Sequence, residues 1–278
     1  MEAAGVAQLA EAIAQVGDGL LTVVTGAGIS LASGIPTFRG SDPGAVWAHD
    51  VTTMGTFAFF RSDPVESWRW YLHRFDAVLD KQPNPSHHAL VRLERWRAQA
   101  QQPFLLVTQN IDDLHAKAGS EALVQVHGSA ARVRCVREGC ASAEPAGSLA
   151  RTDVADAITA FRAQPTRASV PRCPQCGDLL RQHVLWFDEY YQSHTDYQWS
   201  RVQDAALRSA LVVFVGTSFS VGVTDMFLRA ALTVGVPVYA IDPGAHQPPH
   251  PDIRLLSAPA EDLLPAVCDR LGCPNLDA

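Results

Sequence analysis

Five short apolar runs, each breaking into glycine or polar residues at its carboxyl end, constrain the fold of this chain most. LLTVV (20–24) leads to Gly26, FLLV (104–107) to Thr-Gln-Asn, and LVQV (123–126) to His127-Gly128. LVVFV (211–215) leads to Gly216-Thr217-Ser218, and VPVYAI (236–241) to Asp242. Runs this short, continuous and rich in β-branched residues suit strands buried on both faces, as in a parallel sheet. Helical patterns lie between them. Val6, Leu9, Ile13 and Val16 step by three and four residues up to Gly17. Leu90, Leu93 and Trp96 form a second inward face behind Ser86, a candidate cap, and further helices are expected over 224–234 and 261–271. The alternation predicts an α/β fold with a Rossmann-like doubly wound parallel sheet, whose ligands bind beyond the carboxyl ends of the strands. Every polar motif just named stands at such an end.

Two stretches break the alternation. Residues 41–80 are rich in aromatics, and 131–185 hold four cysteines. The expected organisation is a large Rossmann-like domain from 1–40, 81–130 and 186–278. The two insertions, 41–80 and 131–185, build a smaller domain with an aromatic helical module and a metal module. Cys135 and Cys140 are separated by four residues, Cys173 and Cys176 by two, with thirty-two residues between the pairs. This spacing suits a closed, tetrahedral, structural zinc site. Cys268 and Cys273 read as ordinary residues.

Composition narrows the rest. Apolar residues make up 47% of the 278, enough for a sizeable core, and charged residues only 18%, which excludes a disordered or coiled-coil chain. A net charge of −7 without a run of lysine or arginine argues against nucleic acid as a partner. The apolar runs are too short to span a membrane and no basic patch precedes one at the N-terminus. A soluble cytoplasmic protein is expected, with a monomer favoured.

The stretch GAGISLASGIPTFRG (26–40) comes directly after the first run. Gly26-Ala27-Gly28 lets the backbone turn tightly and approach a phosphate at the start of the next helix. The third glycine of a dinucleotide fingerprint is Leu31 here, so this is not an ordinary dehydrogenase loop, and a tight turn without ligand is the alternative. Arg39 can fork onto a pyrophosphate or stand solvated. Gln109, Asn110 and Asp112 are placed to orient a polar ligand, or Asn110 or Asp112 caps the following helix. The imidazole of His127 titrates near neutrality and suits a general base, although a lone histidine is more often a core or surface residue.

GAGIS and SGIPTFRG, TQNIDDLH (108–115), HG (127–128), CPQCG (173–177) and GTS (216–218) come one after another in this order. Together they resemble the sirtuin family of NAD-dependent protein deacylases, over about residues 20–270. The resemblance implies a structural zinc and NAD as cofactor, with an acyl-lysine protein or peptide as substrate. It places the pyrophosphate on Gly26, Ala27, Gly28 and Arg39, the nicotinamide carboxamide at Asp112, and Phe38 as its shield. Gln109 and Asn110 lie toward ribose and water, and Gly216, Thr217, Ser218 and Asp242 toward adenosine. His127 is the base that takes a ribose hydroxyl proton. The implied products are nicotinamide, O-acyl-ADP-ribose and free lysine.

Acyl class and peptide edge depart from the common pattern. Tyr71 and Arg74, three apart on a helix, resemble the pair in bacterial sirtuins that remove succinyl or malonyl groups. Gly55 stands where that subset has alanine and is expected to leave at least as much room. The alternative packs Tyr71 among the aromatics, leaves Arg74 solvated, and makes acetyl the acyl group. In LRQHVLWFDEYY (180–191), Gln182 replaces a usual proline and Asp188 a usual glycine. Val184 and Phe187 keep the edge on which a substrate peptide adds as a strand. Asp188 gives weight to two competitors, an NAD-dependent ADP-ribosyltransferase or an NAD glycohydrolase. A zinc-bearing NAD-sensing scaffold without turnover is a third.

Overall fold

Residues 2–36, 51–244, 247 and 250–276 are described in the computed structural model of the chain. In order they form α1 (Glu2–Gln15), β1 (Leu20–Thr25), α2 (Val51–Met54), α3 (Phe57–Ser62), α4 (Pro64–Leu79), α5 (Pro85–Gln99) and β2 (Phe104–Thr108). Next come α6 (Leu114–Ala118), β3 (Leu123–Gln125), β4 (Gly128–Cys135), β5 (Leu149–Ala150), α7 (Ala155–Ala163) and β6 (Leu180–Val184). The chain ends with α8 (Trp199–Arg208), β7 (Ser209–Val215), α9 (Gly222–Val234), β8 (Val238–Ile241), β9 (Ile253–Leu256) and α10 (Ala260–Leu271). Among these described elements no helix is long and apolar enough to cross a membrane.

All five apolar runs become parallel strands, and the sheet they build has the order β3-β2-β1-β7-β8-β9. The order reverses between β1 and β7, which makes their carboxyl ends the switch point where a crevice opens. Alternate strand residues face opposite layers. Leu21, Val23, Leu106 and Val213 pack under α1, α5 and α10, while Val24, Leu105, Val212 and Phe214 pack under α8 and α9. Each such side chain contributes about 1.5–3 kcal/mol on burial.

Two local expectations change. The sequence pattern does not reveal the sixth strand, β9, because Arg254 interrupts its apolar run. As an edge strand it tolerates the charge, and Arg254 donates to the Tyr239 hydroxyl at 2.7 Å. The cap of α5 is Asn84, not Ser86. Pro85 lacks an N–H and fits only the first helical position, so the Asn84 side chain accepts from Ser86 N–H at 3.0 Å.

The second sheet is antiparallel with order β5-β4-β6. Trp68, Tyr71 and Phe75 from α4 pack with Val133, Phe161, Leu180 and Trp186 in one core, and Trp68 Nε1 donates to Leu180 O at 2.8 Å. The aromatic and cysteine-bearing insertions thus share a single interior. β4 starts at Gly128 and runs unbroken across the expected boundary at 130/131.

Burial leaves several histidines neutral. It pulls His87 and His183 down to about 4 and also lowers His115 and His194. The unfolded chain protonates these rings near pH 6.5, whereas the folded chain refuses the proton until lower pH. Stability is therefore fully present above pH 6.5 and drains as pH falls toward 4, by about 1.4 kcal/mol per unit for each such ring. Melting curves across this window should show Tm dropping well before the carboxylates titrate. A Tm that is flat down to about pH 4.5 would mean these rings are solvated.

Candidate active site

The switch point is built from bare backbone. Gly28 N–H donates to Gly216 O at 2.9 Å. A Cβ on Gly26 would lie 2.8 Å from Gly216 O, and one on Gly28 only 2.6 Å from Gly216 Cα. Gly216 itself has φ +58°. The glycines therefore let the loops after β1 and β7 pack directly on each other. In place of the expected α-helix, the next segment is a 3-10 turn, Ala27–Ser33, stopped by left-handed Gly34 (φ 78°). Phe38 and Arg39 lie outside the described residues.

The polar cluster after β2 meets this turn. Asn110 Nδ2 donates to Gly26 O (3.1 Å) and Ser30 Oγ (3.2 Å). Ser30 donates to Asp112 Oδ2 at 2.7 Å, and Asp112 Oδ1 accepts Leu114 N–H at 3.0 Å. Asp112 thus accepts the first N–H of α6 and faces the glycine turn at once. Burial pushes its carboxyl up, against the Ser30 bond. Sequence reasoning assigns Ser30 no role. Its signal is a hydroxyl inside a glycine turn, fully buried in the fold.

His127 occupies the link between β3 and β4. Its Nδ1 lies 2.8 Å from Gln109 O. A carbonyl can only accept, so the proton is on Nδ1 and the lone pair on Nε2. Burial lowers the imidazole pKa, against the Gln109 bond, so the ring is neutral at neutral pH. Gln109 also reaches Thr217 Oγ1 at 3.3 Å. Thr217, Ser218 and Asp242 line a cavity of about 190 Å³ with Phe214, Phe219 and Leu255. Asp242 Oδ1 accepts Gly244 N–H at 2.8 Å. Apolar walls, a carboxylate beside them, and buried amide and carboxylate groups at the glycine turn fit the adenosine and nicotinamide ends of NAD.

The four cysteines converge. Their Sγ atoms all lie within 4.8 Å of one another, with Cys135 and Cys176 at 3.4 Å and Cys140 and Cys173 at 3.7 Å. Thiolates at about 2.3 Å around a tetrahedral zinc stand about 3.8 Å apart, so the set fits the ion and leaves no open position. A second cluster, His183, His194 and Asp196, is different. His194 Nδ1 accepts Asp196 N–H, and its Nε2 lies 3.1 Å from both the N–H and the carbonyl oxygen of Gly147, so both ring nitrogens are engaged within the fold. His183 Nε2 is 3.0 Å from Asp196 Oδ2. We read this cluster as a brace between β6 and the following loop.

Comparison with known proteins agrees with this geometry. The Sir2 family profile matches residues 26–223. This chain belongs to the Sir2 family. An NAD-dependent protein deacylase of Thermus thermophilus is 37% identical over 227 residues, 80% of this chain and 79% of the relative. NAD-dependent protein deacylase 1 of Pseudomonas aeruginosa is 36% identical over 259 residues, 90% and 93% of the two chains. A solved Sir2 homologue–NAD complex superposes with a TM-score of 0.75 at 30% identity, covering 96% of this chain and 93% of that one.

The loop after β6 in this Sir2 protein shows what its unusual residues do. The Asp188 carboxylate accepts Phe57 N–H (2.8 Å) and Ala58 N–H (3.0 Å), tying α3 to that loop. Phe187 N–H donates to Gly55 O at 3.0 Å, and a Cβ on Gly55 would lie 3.1 Å from the Phe187 ring. The room expected at Gly55 is thus filled by Phe187. Val184 pairs with Gly128, and its carbonyl accepts Arg181 Nη2 at 2.8 Å. Arg181 and Arg134 share Glu189. Tyr71 is buried against Trp186 (ring centroids 6.0 Å), as the packing alternative has it, and Arg74 lies over Trp70 at 3.8 Å. Gln182 is buried with neither amide atom paired, and nothing among the described residues accounts for it.

Proposed function

We propose that this Sir2 protein is an NAD-dependent protein lysine deacylase that yields nicotinamide, O-acyl-ADP-ribose and free lysine. The observation that carries the reading is the fixed tautomer of His127: Gln109 O, at the end of β2, holds Nδ1–H and leaves Nε2 as the nitrogen free to act as a base. When bound, NAD supplies a ribose carbon that becomes electrophilic as nicotinamide departs. Asp112, held by Ser30, offers carboxylate oxygens to the carboxamide N–H groups. Asn110 has its amide nitrogen engaged by Gly26 O and Ser30, which turns its oxygen toward a ribose hydroxyl or water. His127 Nε2 accepts the ribose hydroxyl proton. Thr217, Ser218 and Asp242 hold the adenosine side, and Gly26 to Gly28 shape the turn between. The relatives named as deacylases support the substrate class. So does a solved Sir2 complex with a deacetylated p53 peptide and 3′-O-acetyl ADP ribose, at TM-score 0.77 and 25% identity.

The Tyr71–Arg74 spacing on α4 supports an acidic acyl group, whereas the burial of Tyr71 against Trp186 supports acetyl. The test is a panel of acetyl, malonyl and succinyl peptides with mass detection of the ADP-ribose product. Nicotinamide release should require an acylated lysine. Release without one would favour the glycohydrolase or ADP-ribosyltransferase reading, and NAD binding without product the scaffold. In Arg74→Met, succinyl turnover should fall about 10–100-fold, the worth of a charge-assisted pair, with acetyl turnover within about twofold. Equal responses of the two peptides would remove the acidic-acyl assignment.

A further inference from the structure

Tyr191 closes the LRQHVLWFDEYY stretch, and the resemblance gives it no role in the chemistry. The two tyrosines after Glu189 part company: Tyr190 is 77% exposed, whereas Tyr191 turns inward. Its ring lies flat on Trp199 (centroids 4.2 Å, 10°) and nearly parallel to His127 (5.8 Å, 22°). The phenol oxygen is 3.3 Å from His127 Nε2. Because Nδ1 already donates to Gln109 O, Nε2 can only accept, so the phenol is the donor.

We propose that Tyr191 is a positioning residue that occupies the lone pair of His127 in the free enzyme and yields it to the ribose hydroxyl when ligands bind. This deepens the deacylase reading and rests on His127 being its base. Elementary chemistry attaches two consequences. A hydrogen bond donated to Nε2 stabilises the neutral ring, so the free enzyme holds His127 unprotonated to lower pH than burial alone dictates. The phenol and the ribose hydroxyl also compete for one lone pair, so ligand binding is weakened while the chemistry after displacement is not.

The surroundings isolate this effect. Gln109 O faces the ring from the end of β2, Tyr191 faces it from the loop after β6, and Leu185 N–H donates to the His127 backbone carbonyl. The nearby carboxylates are engaged elsewhere, Asp112 by Ser30 and Leu114, Asp113 by Gln125 and Ser129. Among the described residues no charged side chain adds to burial and the Gln109 bond in setting the His127 pKa.

Tyr191→Phe keeps the stack on Trp199 and removes the hydroxyl. The acid limb of kcat/KM should move up by about half to one pH unit, the worth of one neutral hydrogen bond. The acid limb of kcat should stay in place, because the ribose hydroxyl has replaced the phenol in the complex. Plateau kcat should remain within about twofold, with KM for NAD lowered several-fold. The same upward shift should appear in the NMR titration of the His127 ring without substrates. That measurement needs no turnover, so it stands even where the acyl-lysine reading fails. His127 titration curves that coincide in wild type and Tyr191→Phe would overturn the proposal. So would a loss of plateau kcat beyond about tenfold, which would put the phenol in the reacting proton path.

Discussion

His127→Ala is expected to lower acyl-lysine turnover by about 10²–10⁴-fold, the range a positioned general base supplies. The loss should fall on the chemical step, not on folding or NAD binding. The ring reaches the fold through one side-chain bond to Gln109 O and its contact with Tyr191. Gln109 keeps its own bonds to Thr25 O and Thr217 when the ring is gone. Stopped assays should therefore show O-acyl-ADP-ribose collapsing while NAD titration is little changed. Because burial keeps the wild-type ring neutral, its activity should also persist below the pH at which a free imidazole protonates, and this acid tolerance should vanish in the variant. Turnover of His127→Ala within about tenfold of wild type would remove the imidazole from the mechanism.

Loss of the metal should have the largest structural effect. Cys135 ends β4, Cys173 precedes β6, and both are buried in the core shared with Trp68, Phe161 and Trp186. Four thiols drawn to one point without a cation offer no attraction in return. Zinc in such sites contributes about 10–16 kcal/mol of apparent binding free energy, comparable with the whole stability of a domain. Cys173→Ser, or exhaustive chelation, should melt the β5-β4-β6 sheet and its aromatic core. The six-stranded sheet, whose two core layers contain none of these cysteines, should survive. The readouts are one zinc per chain by elemental analysis, loss of the near-ultraviolet tryptophan signal, and a split melting curve. Activity should fall too, since β4 begins at the residue after His127. An unchanged Tm in Cys173→Ser with zinc still bound would refute a structural site made of these four cysteines.

Much of the site is legible in the chain alone. GAG, TQNID, His127, GTS and Asp242 all fall at strand ends, and parallel strands bring those ends to one side of the sheet. The cysteine pairs are legible because metal-ligand spacing is a local property of the chain. β9 is not, because four residues with a central arginine carry no period to detect. The purpose of Asp188 is hidden too. Read along the chain it is a side chain where a glycine usually lies, whereas in space it is the cap of a helix 130 and 131 positions away.

The amino-acid sequence by itself determined the five motif-bearing strands, the switch point, the cysteine set and the family, because periodicity and motif chemistry are written in neighbouring residues. Only the tertiary structure decided how each group is poised. The tautomer of His127 depends on a carbonyl 18 residues earlier, and its other nitrogen faces a phenol 64 residues later. Such pairings arise from packing between distant segments, where burial and hydrogen-bond direction, not composition, set the state of a titratable ring.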